Sequence, residues 1–149
     1  MTAETPSPTW SVERTDGALP APVLAKLRDL ADASAEADGN PPLSEQTLVT
    51  LRSEDARGSV TVFSARSAAG SDGAAQDAEL AGVAVVVRGT EDGAVLELVV
   101  APDTRAKGVG TALVEAVLAG GFHGLKGWSH GNHAAAADLA ARFGFVPVR

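Results

Sequence analysis

The chain has 149 residues, about the length of one globular domain. It is 45% hydrophobic and 21% charged, as ordinary soluble globular proteins are. A net charge of −7 argues against nucleic acid and against an anionic membrane surface as partners, because both require a basic face. The absence of cysteine excludes disulfides and cysteine-ligated metals. The polar, proline-bearing start does not have the order of a signal peptide, and the apolar runs are too short to span a bilayer, so we expect a cytoplasmic protein.

The amino-terminal third is predicted to contain one strand and two helices. Residues 1–8 are predicted to be a disordered lead-in, and residues 9–14 alternate enough to form a short strand. A first helix follows Leu19, carries proline in its first turn and stops at Gly39. A second helix, capped by Ser44, is expected to have an apolar face made of Leu48, Val49 and Leu51.

The remainder of the chain is predicted to alternate between the two kinds of element. Strands are expected over residues 59–65, 80–88, 94–100, 125–129 and 145–149, and helices over residues 106–120 and 133–143. The first of these helices is expected to bury Leu113, Val114, Val117 and Leu118. Gly144 is expected to end the second helix. Consecutive strands pair antiparallel and a strand–helix–strand unit favours parallel pairing. We therefore predict an α/β fold with a mixed, mostly antiparallel sheet and helices on both faces.

Residues 96–111, LELVVAPDTRAKGVGT, form the most informative segment. A predicted strand is followed by a loop with Arg105 and Lys107, which leads into a helix through Gly108 and Gly110. Glycines let a ligand approach the backbone, and the first amides of a helix have no intrahelical partner and lie at the positive end of its dipole. The segment suits a pyrophosphate. The alternative is a glycine-rich helix start with incidental basic residues.

The order R-x-x-G-x-G at residues 105–110 resembles the acetyl-CoA signature of the GNAT N-acetyltransferase superfamily, whose element order is similar to the one predicted here. The resemblance implies that acetyl-CoA binds as co-substrate, and that the cofactor strand splays from its neighbour after a bulge to make room for it. It implies that backbone groups of Leu98, Val99 and Val100 meet the pantetheine arm. The residues that it implies at the pyrophosphate are Arg105, Ala106, Lys107, Gly108, Val109, Gly110 and Thr111.

A narrower resemblance comes from residues 38–46, from the W-S-H-G sequence at residues 128–131 and from G-F-V-P-V-R at residues 144–149. These segments are similar to the amino-terminal domain of the mycothiol synthase family, which acetylates the cysteinyl amine of a cysteinyl-glucosaminyl-inositol with two tandem GNAT domains. The resemblance implies that residues 9–149 form one GNAT domain and that a second follows it. It also implies that Glu45 binds the small-molecule amine acceptor, whereas the alternative for Glu45 is a first-turn acid on a solvated helix.

The sequence departs most from the family pattern at the positions of the proton-transfer groups. Glu97 is a candidate general base, with an outward-facing strand residue as the alternative. Family members with a strand glutamate base carry it about where Ala94 stands in this chain. Many members carry a tyrosine acid where Ala140 stands, and this chain has no tyrosine. His130 and His133 lack a third ligand, so no metal is expected.

These departures lead us to expect a domain that holds acetyl-CoA rather than one that turns it over. Two alternatives stay open. The first is a stand-alone GNAT acetyltransferase of another small amine or of a protein N-terminus. The second is a non-catalytic, CoA-binding regulatory module.

Overall fold

A computed structural model describes residues 10–17, 19–39, 43, 45–52, 60–67, 80–88, 93–102, 108–122, 124–128 and 144. In chain order the elements are β1 (Trp10–Asp16), α1 (Ala21–Asp38), α2 (Glu45–Arg52), β2 (Val60–Ser67), β3 (Leu80–Arg88), β4 (Ala94–Val100), α3 (Val109–Ala119) and β5 (Leu125–Trp128). Each of them was predicted. The predicted lead-in over residues 1–8, the helix over residues 133–143 and the strand over residues 145–149 lie outside the described residues. Gly144 itself has a φ of 78°, as expected of a residue that ends a helix.

The five described strands form one sheet in the order β1-β2-β3-β4-β5, which is also their order in the chain. The first three pairings are antiparallel, and β4 pairs parallel with β5 across the α3 crossover. The predicted α/β class and the mixed, mostly antiparallel sheet are confirmed.

The alternating side chains of the strands separate two apolar clusters. Val62 of β2, Val83 and Val85 of β3 and Val99 of β4 pack with α1 and α2. On the opposite face, Phe63, Ala84, Val86 and Leu96 pack with α3. Helices therefore cover both faces of the sheet, as predicted.

The first helix starts and stops at its sequence signals. Pro20 is the N-cap of α1, and Pro22 lies in the first turn, where a missing N–H costs nothing. Gly39 ends the helix with a φ of 79°, and its N–H donates to the carbonyl of Ala35 at 2.7 Å. Such a left-handed end is inexpensive for glycine.

Two details of the helices differ from the prediction. α3 begins at Val109 and not at residue 106, because Gly108 is its N-cap with a φ of 89°, outside helical geometry. Leu118 is 48% exposed, so its predicted burial is wrong; Val109 takes its place in the buried stripe with Leu113, Val114 and Val117. The stripe follows positions three and four apart, and Leu118 lies about 100° round the helix from Val117.

The predicted face of α2 is also wrong in part. Leu51 is fully buried and Leu48 half-buried, but Val49 is half-exposed. Thr47, one turn before Leu51, is buried in its place. The inward face of α2 therefore combines an apolar residue with a polar one.

Candidate functional site

The candidate site begins where α3 starts. Gly108 is exposed, and as a glycine N-cap it offers no side chain to the amides of the first turn. That turn contains no acidic residue. The first amides of a helix point out of its N-terminus, and the helix dipole makes this end positive. The start of α3 is therefore suited to an anionic ligand.

The end of β4 lies next to this helix start. The register of β4 against β3 runs without a shift from Ala94 opposite Arg88 to Val100 opposite Gly82. On the other edge, the described pairing of β4 with β5 ends at Glu97 opposite Trp128. Leu98, Val99 and Val100 thus extend β4 beyond its described pairing with β5.

The bulge expected from the family does not appear in the described β4. The register shift that the structure shows lies in β2, between Ala65 and Arg66, where it pairs with β3. After β4, the N–H of Ala101 donates to the carbonyl of Ala81 at 2.8 Å, so the chain follows β3 for one residue more. The loop to α3 leaves from there.

The pyrophosphate loop is described only in part. At the start of α3, Gly108 is exposed and two residues are half-buried, Gly110 and Thr111. Val109 is buried beneath them. Arg105, Ala106 and Lys107 lie outside the described residues, so their roles stay predictions. The same is true of His130, His133 and Ala140.

Glu97 is not an outward-facing strand residue, so that alternative is wrong. Its side chain is only 3% exposed, and it faces α2, where the buried Thr47 hydroxyl donates a hydrogen bond to its carboxylate. Sequence reasoning missed Thr47. The available signal was its place four residues before Leu51, on the inward face of a helix.

The Thr47–Glu97 hydrogen bond connects the two predicted halves of the site. Glu45, the predicted acceptor-binding residue, is the exposed first residue of α2, two positions before Thr47. Glu97 pairs with Trp128 of β5 and directly precedes Leu98. The helix expected at the acceptor is therefore held on the strand expected at the cofactor.

Ala94 and Glu97 lie on opposite faces of the sheet. Ala94 is buried in the cluster that packs on α3, whereas Glu97 meets α2. Glu97 therefore does not bring a carboxylate to the face on which Ala94 lies.

Among the residues that the structure describes, no three histidine, cysteine, aspartate or glutamate side chains are grouped to hold a metal. Within the same residues, no helix is long and apolar enough to cross a membrane.

The segment that contains β3, β4, α3 and β5 matches a known family. The family model of the acetyltransferase (GNAT) domain matches residues 72–147. The chain belongs to the GNAT acetyltransferase family. The predicted family is thereby confirmed, and with it the class of acetyl-CoA-dependent N-acetyltransferase domains.

Individual GNAT proteins agree with this assignment. A mycothiol acetyltransferase of Paenarthrobacter aurescens (strain TC1) is 49% identical over 142 residues, a match that covers 94% of this chain and 44% of that protein. The GNAT domain described here thus spans less than half the length of that curated relative.

Solved structures show the same fold. The ribosomal-protein-S18-alanine N-acetyltransferase from Escherichia coli superposes with a TM-score of 0.64 at 20% identity, over 95% of this chain and 80% of that one. Aminoglycoside N-acetyltransferase AAC(6')-Iy in complex with CoA gives a TM-score of 0.60 at 13% identity, over 98% of this chain and 93% of that one. At these identities the likeness concerns the fold.

Proposed function

We propose that this GNAT domain binds acetyl-CoA between the end of β4 and the start of α3. The observation that supports the proposal is the exposed N-cap of α3 beside the end of β4, where Gly82 pairs with Val100 and lies against Val109. A pyrophosphate at that terminus gains from the amides and from the helix dipole. Arg105 and Lys107 add two cations to a chain whose net charge is −7. A match to an acetyltransferase that was solved with CoA agrees with this choice of ligand.

The pantetheine arm, in this proposal, lies along β4. Leu98, Val99 and Val100 supply backbone donors and acceptors to its amides, as one strand does to another. The thioester then lies near Glu97 and Trp128, where the described pairing of β4 with β5 ends. A strand amide at this point would stabilise the oxyanion that develops when an amine attacks the thioester carbonyl.

We further propose that the domain is the amino-terminal half of a two-domain enzyme that acetylates the cysteinyl amine of a cysteinyl-glucosaminyl-inositol. The relatives that support this are named mycothiol acetyltransferase and are more than twice as long as the matched segment. Glu45, at the exposed start of α2, would accept hydrogen bonds from hydroxyl groups of the acceptor. A second GNAT domain after residue 149 would carry the chemistry.

This half is proposed to bind acetyl-CoA without catalysing its transfer, because it lacks the proton-transfer groups of the family. Ala94 and Ala140 stand where the family places its base and its acid, and the carboxylate of Glu97 accepts a hydrogen bond from Thr47 on the opposite face from Ala94. General acid–base groups contribute about 10²–10⁴-fold each. Without them this half would hold acetyl-CoA and release almost no product.

Calorimetric titration of the 149-residue chain with acetyl-CoA tests the binding site. The Arg105→Ala/Lys107→Ala variant should lose about 1.5–3 kcal/mol for each charge-assisted hydrogen bond removed, less where solvent screens the charge. The matched control is Arg28→Ala/Lys126→Ala, which removes the same two kinds of cation from exposed positions on α1 and β5. Equal affinity of the two double variants would contradict the placement.

A thiol-release assay with the cysteinyl-glucosaminyl-inositol tests whether this half binds acetyl-CoA without catalysing its transfer. The chain alone should bind acetyl-CoA, which raises its melting temperature by mass action, while CoA release stays near background. Turnover by the chain alone at about 1–10³ per second, the usual range of enzymes, would instead favour a stand-alone acetyltransferase. If the longer protein bound acetyl-CoA without acetylating any amine, the regulatory module would be the better interpretation.

A further inference from the structure

Gly82 of β3 lies directly beneath the first turn of α3. A β-carbon at this position would lie 2.7 Å from Cγ1 of Val109 and 3.1 Å from Cδ1 of Leu113. It would also lie 3.0 Å from the carbonyl oxygen of Val99. Distances under 3.0 Å do not occur for real β-carbons, so any larger residue would displace the helix or the strand. Gly82 therefore marks a close approach of α3 to the sheet.

This close approach occurs at the proposed cofactor end of the sheet. Gly82 pairs with Val100, the last residue of β4, and Val109 is the first residue of α3. Val109 is almost fully buried, and its β-branched side chain has one strongly preferred rotamer in a helix. It cannot turn away from an added methyl group. A residue larger than glycine would therefore push on the turn whose amides are proposed to hold the pyrophosphate.

A second contact flanks the same turn from the edge of the sheet. A β-carbon on Gly108 would lie 3.8 Å from the indole nitrogen of Trp10, an ordinary packing distance. Trp10 is the first residue of β1, is half-buried and packs against the cluster beneath α3. It thus lies beside the N-cap of the helix.

We infer that Gly82 and Trp10 are positioning residues for the proposed cofactor site: they set the depth and the lateral position of the start of α3 and thereby determine the affinity for acetyl-CoA. Neither residue needs to touch the cofactor. The inference rests on the proposed binding of acetyl-CoA at this helix start. Displacements of about 1 Å at a positioned site are enough for effects of up to about 10²-fold.

The first test is the affinity of Gly82→Ala for acetyl-CoA, measured by calorimetry well below the melting temperature. We expect the Kd to rise by about tenfold or more. The matched control is Gly121→Ala at the other end of the same helix, where φ is 78° and nothing lies within 4 Å of an added β-carbon. The control should lower the melting temperature through backbone strain and leave the Kd unchanged.

Second-site rescue separates positioning from general loss of stability. Val109→Ala removes the methyl group that an alanine at position 82 would strike and keeps the Val109 amide. The Gly82→Ala/Val109→Ala variant should therefore bind acetyl-CoA more tightly than Gly82→Ala alone. If Gly82→Ala does not fold, Val109→Ile tests the same contact from the helix side and should raise the Kd.

Trp10 is tested by two substitutions of graded size. Trp10→Ala removes the ring beside Gly108 and should raise the Kd several-fold, whereas Trp10→Phe keeps most of the packing and should bind nearly as the wild type does. The role of Gly82 would be overturned by an unchanged Kd in folded Gly82→Ala or in Val109→Ile. The role of Trp10 would be overturned by an unchanged Kd in Trp10→Ala. If the wild-type chain itself did not bind acetyl-CoA, the proposed function would fail.

Discussion

Replacing Thr47 with valine should destabilise the domain, although the two side chains have nearly the same shape. The substitution removes the hydroxyl that donates to the buried carboxylate of Glu97 and keeps the β-branched packing on the sheet. Thr47 is 4% exposed and Glu97 3% exposed, so water does not readily replace the lost donor. Removing one partner of a buried hydrogen bond costs about 1–3 kcal/mol.

The expected loss is therefore about 2 kcal/mol in the free energy of unfolding. For a domain of 149 residues that corresponds to a melting temperature lower by about 4–8 °C. The intrinsic helix propensities of threonine and valine are nearly equal, so the helix itself contributes little to the difference. Val49→Thr, which places a hydroxyl at a half-exposed position of the same helix, should stay within about 0.5 kcal/mol of the wild type.

The assay is urea unfolding of Thr47→Val, Glu97→Gln and the double variant, arranged as a double-mutant cycle. The two single losses should not add, because both substitutions weaken the same contact. A loss below about 0.5 kcal/mol for Thr47→Val, or strictly additive losses in the cycle, would refute the interpretation that this hydrogen bond holds α2 on β4.

Two further outcomes are expected. In the proposed two-domain enzyme, Glu45→Gln should raise the KM of the acceptor more than it lowers kcat, because Glu45 is proposed to bind and not to act as a base; a collapse of kcat at constant KM would reverse that role. The hydrogen bond from the Thr61 hydroxyl, 2.8 Å long, is the main cause that lowers the pKa of Asp16 below its usual 3.8. The small stabilisation by Asp16 is therefore present above pH 3.8 and is lost as the pH falls through the lowered pKa. Thr61→Val should raise the pKa of Asp16 in a carboxyl NMR titration, and an unchanged pKa would contradict this cause.

The strands were the most predictable part of the fold. β3 and β4 have the predicted bounds because both are largely apolar runs rich in valine, on either side of the turn-forming segment from Gly89 to Gly93. The antiparallel β2–β3 and β3–β4 pairings and the parallel β4–β5 pairing follow from their connections, whereas the antiparallel β1–β2 pairing across α1 and α2 does not. The start of α3 was placed three residues too early because the left-handed φ of Gly108 leaves no periodic signal in the sequence.

The site was predictable where it is a local motif and not where it depends on tertiary contacts. The glycines at the start of α3 are visible as a short pattern. The partner of Glu97 is 50 residues away in the chain, and no local period indicates which helix will cover a strand carboxylate. The closeness of Gly82 to Val109 is equally hidden, because a glycine in a strand pattern also fits a bulge.

The agreement between strand order and chain order has a consequence for synthesis on the ribosome. From β2 onward, each described strand pairs with the strand that left the ribosome immediately before it. A nascent chain can therefore extend its sheet from one edge without waiting for a distant partner. Two of the described strands follow intervening helices: α1 and α2 lie between β1 and β2, and α3 must cross the sheet before β5 can pair with β4. Among the described strands, the edge of β4 that is proposed to receive the cofactor is thus the last to acquire its neighbour, and acetyl-CoA present during translation would encounter that edge while it is still open.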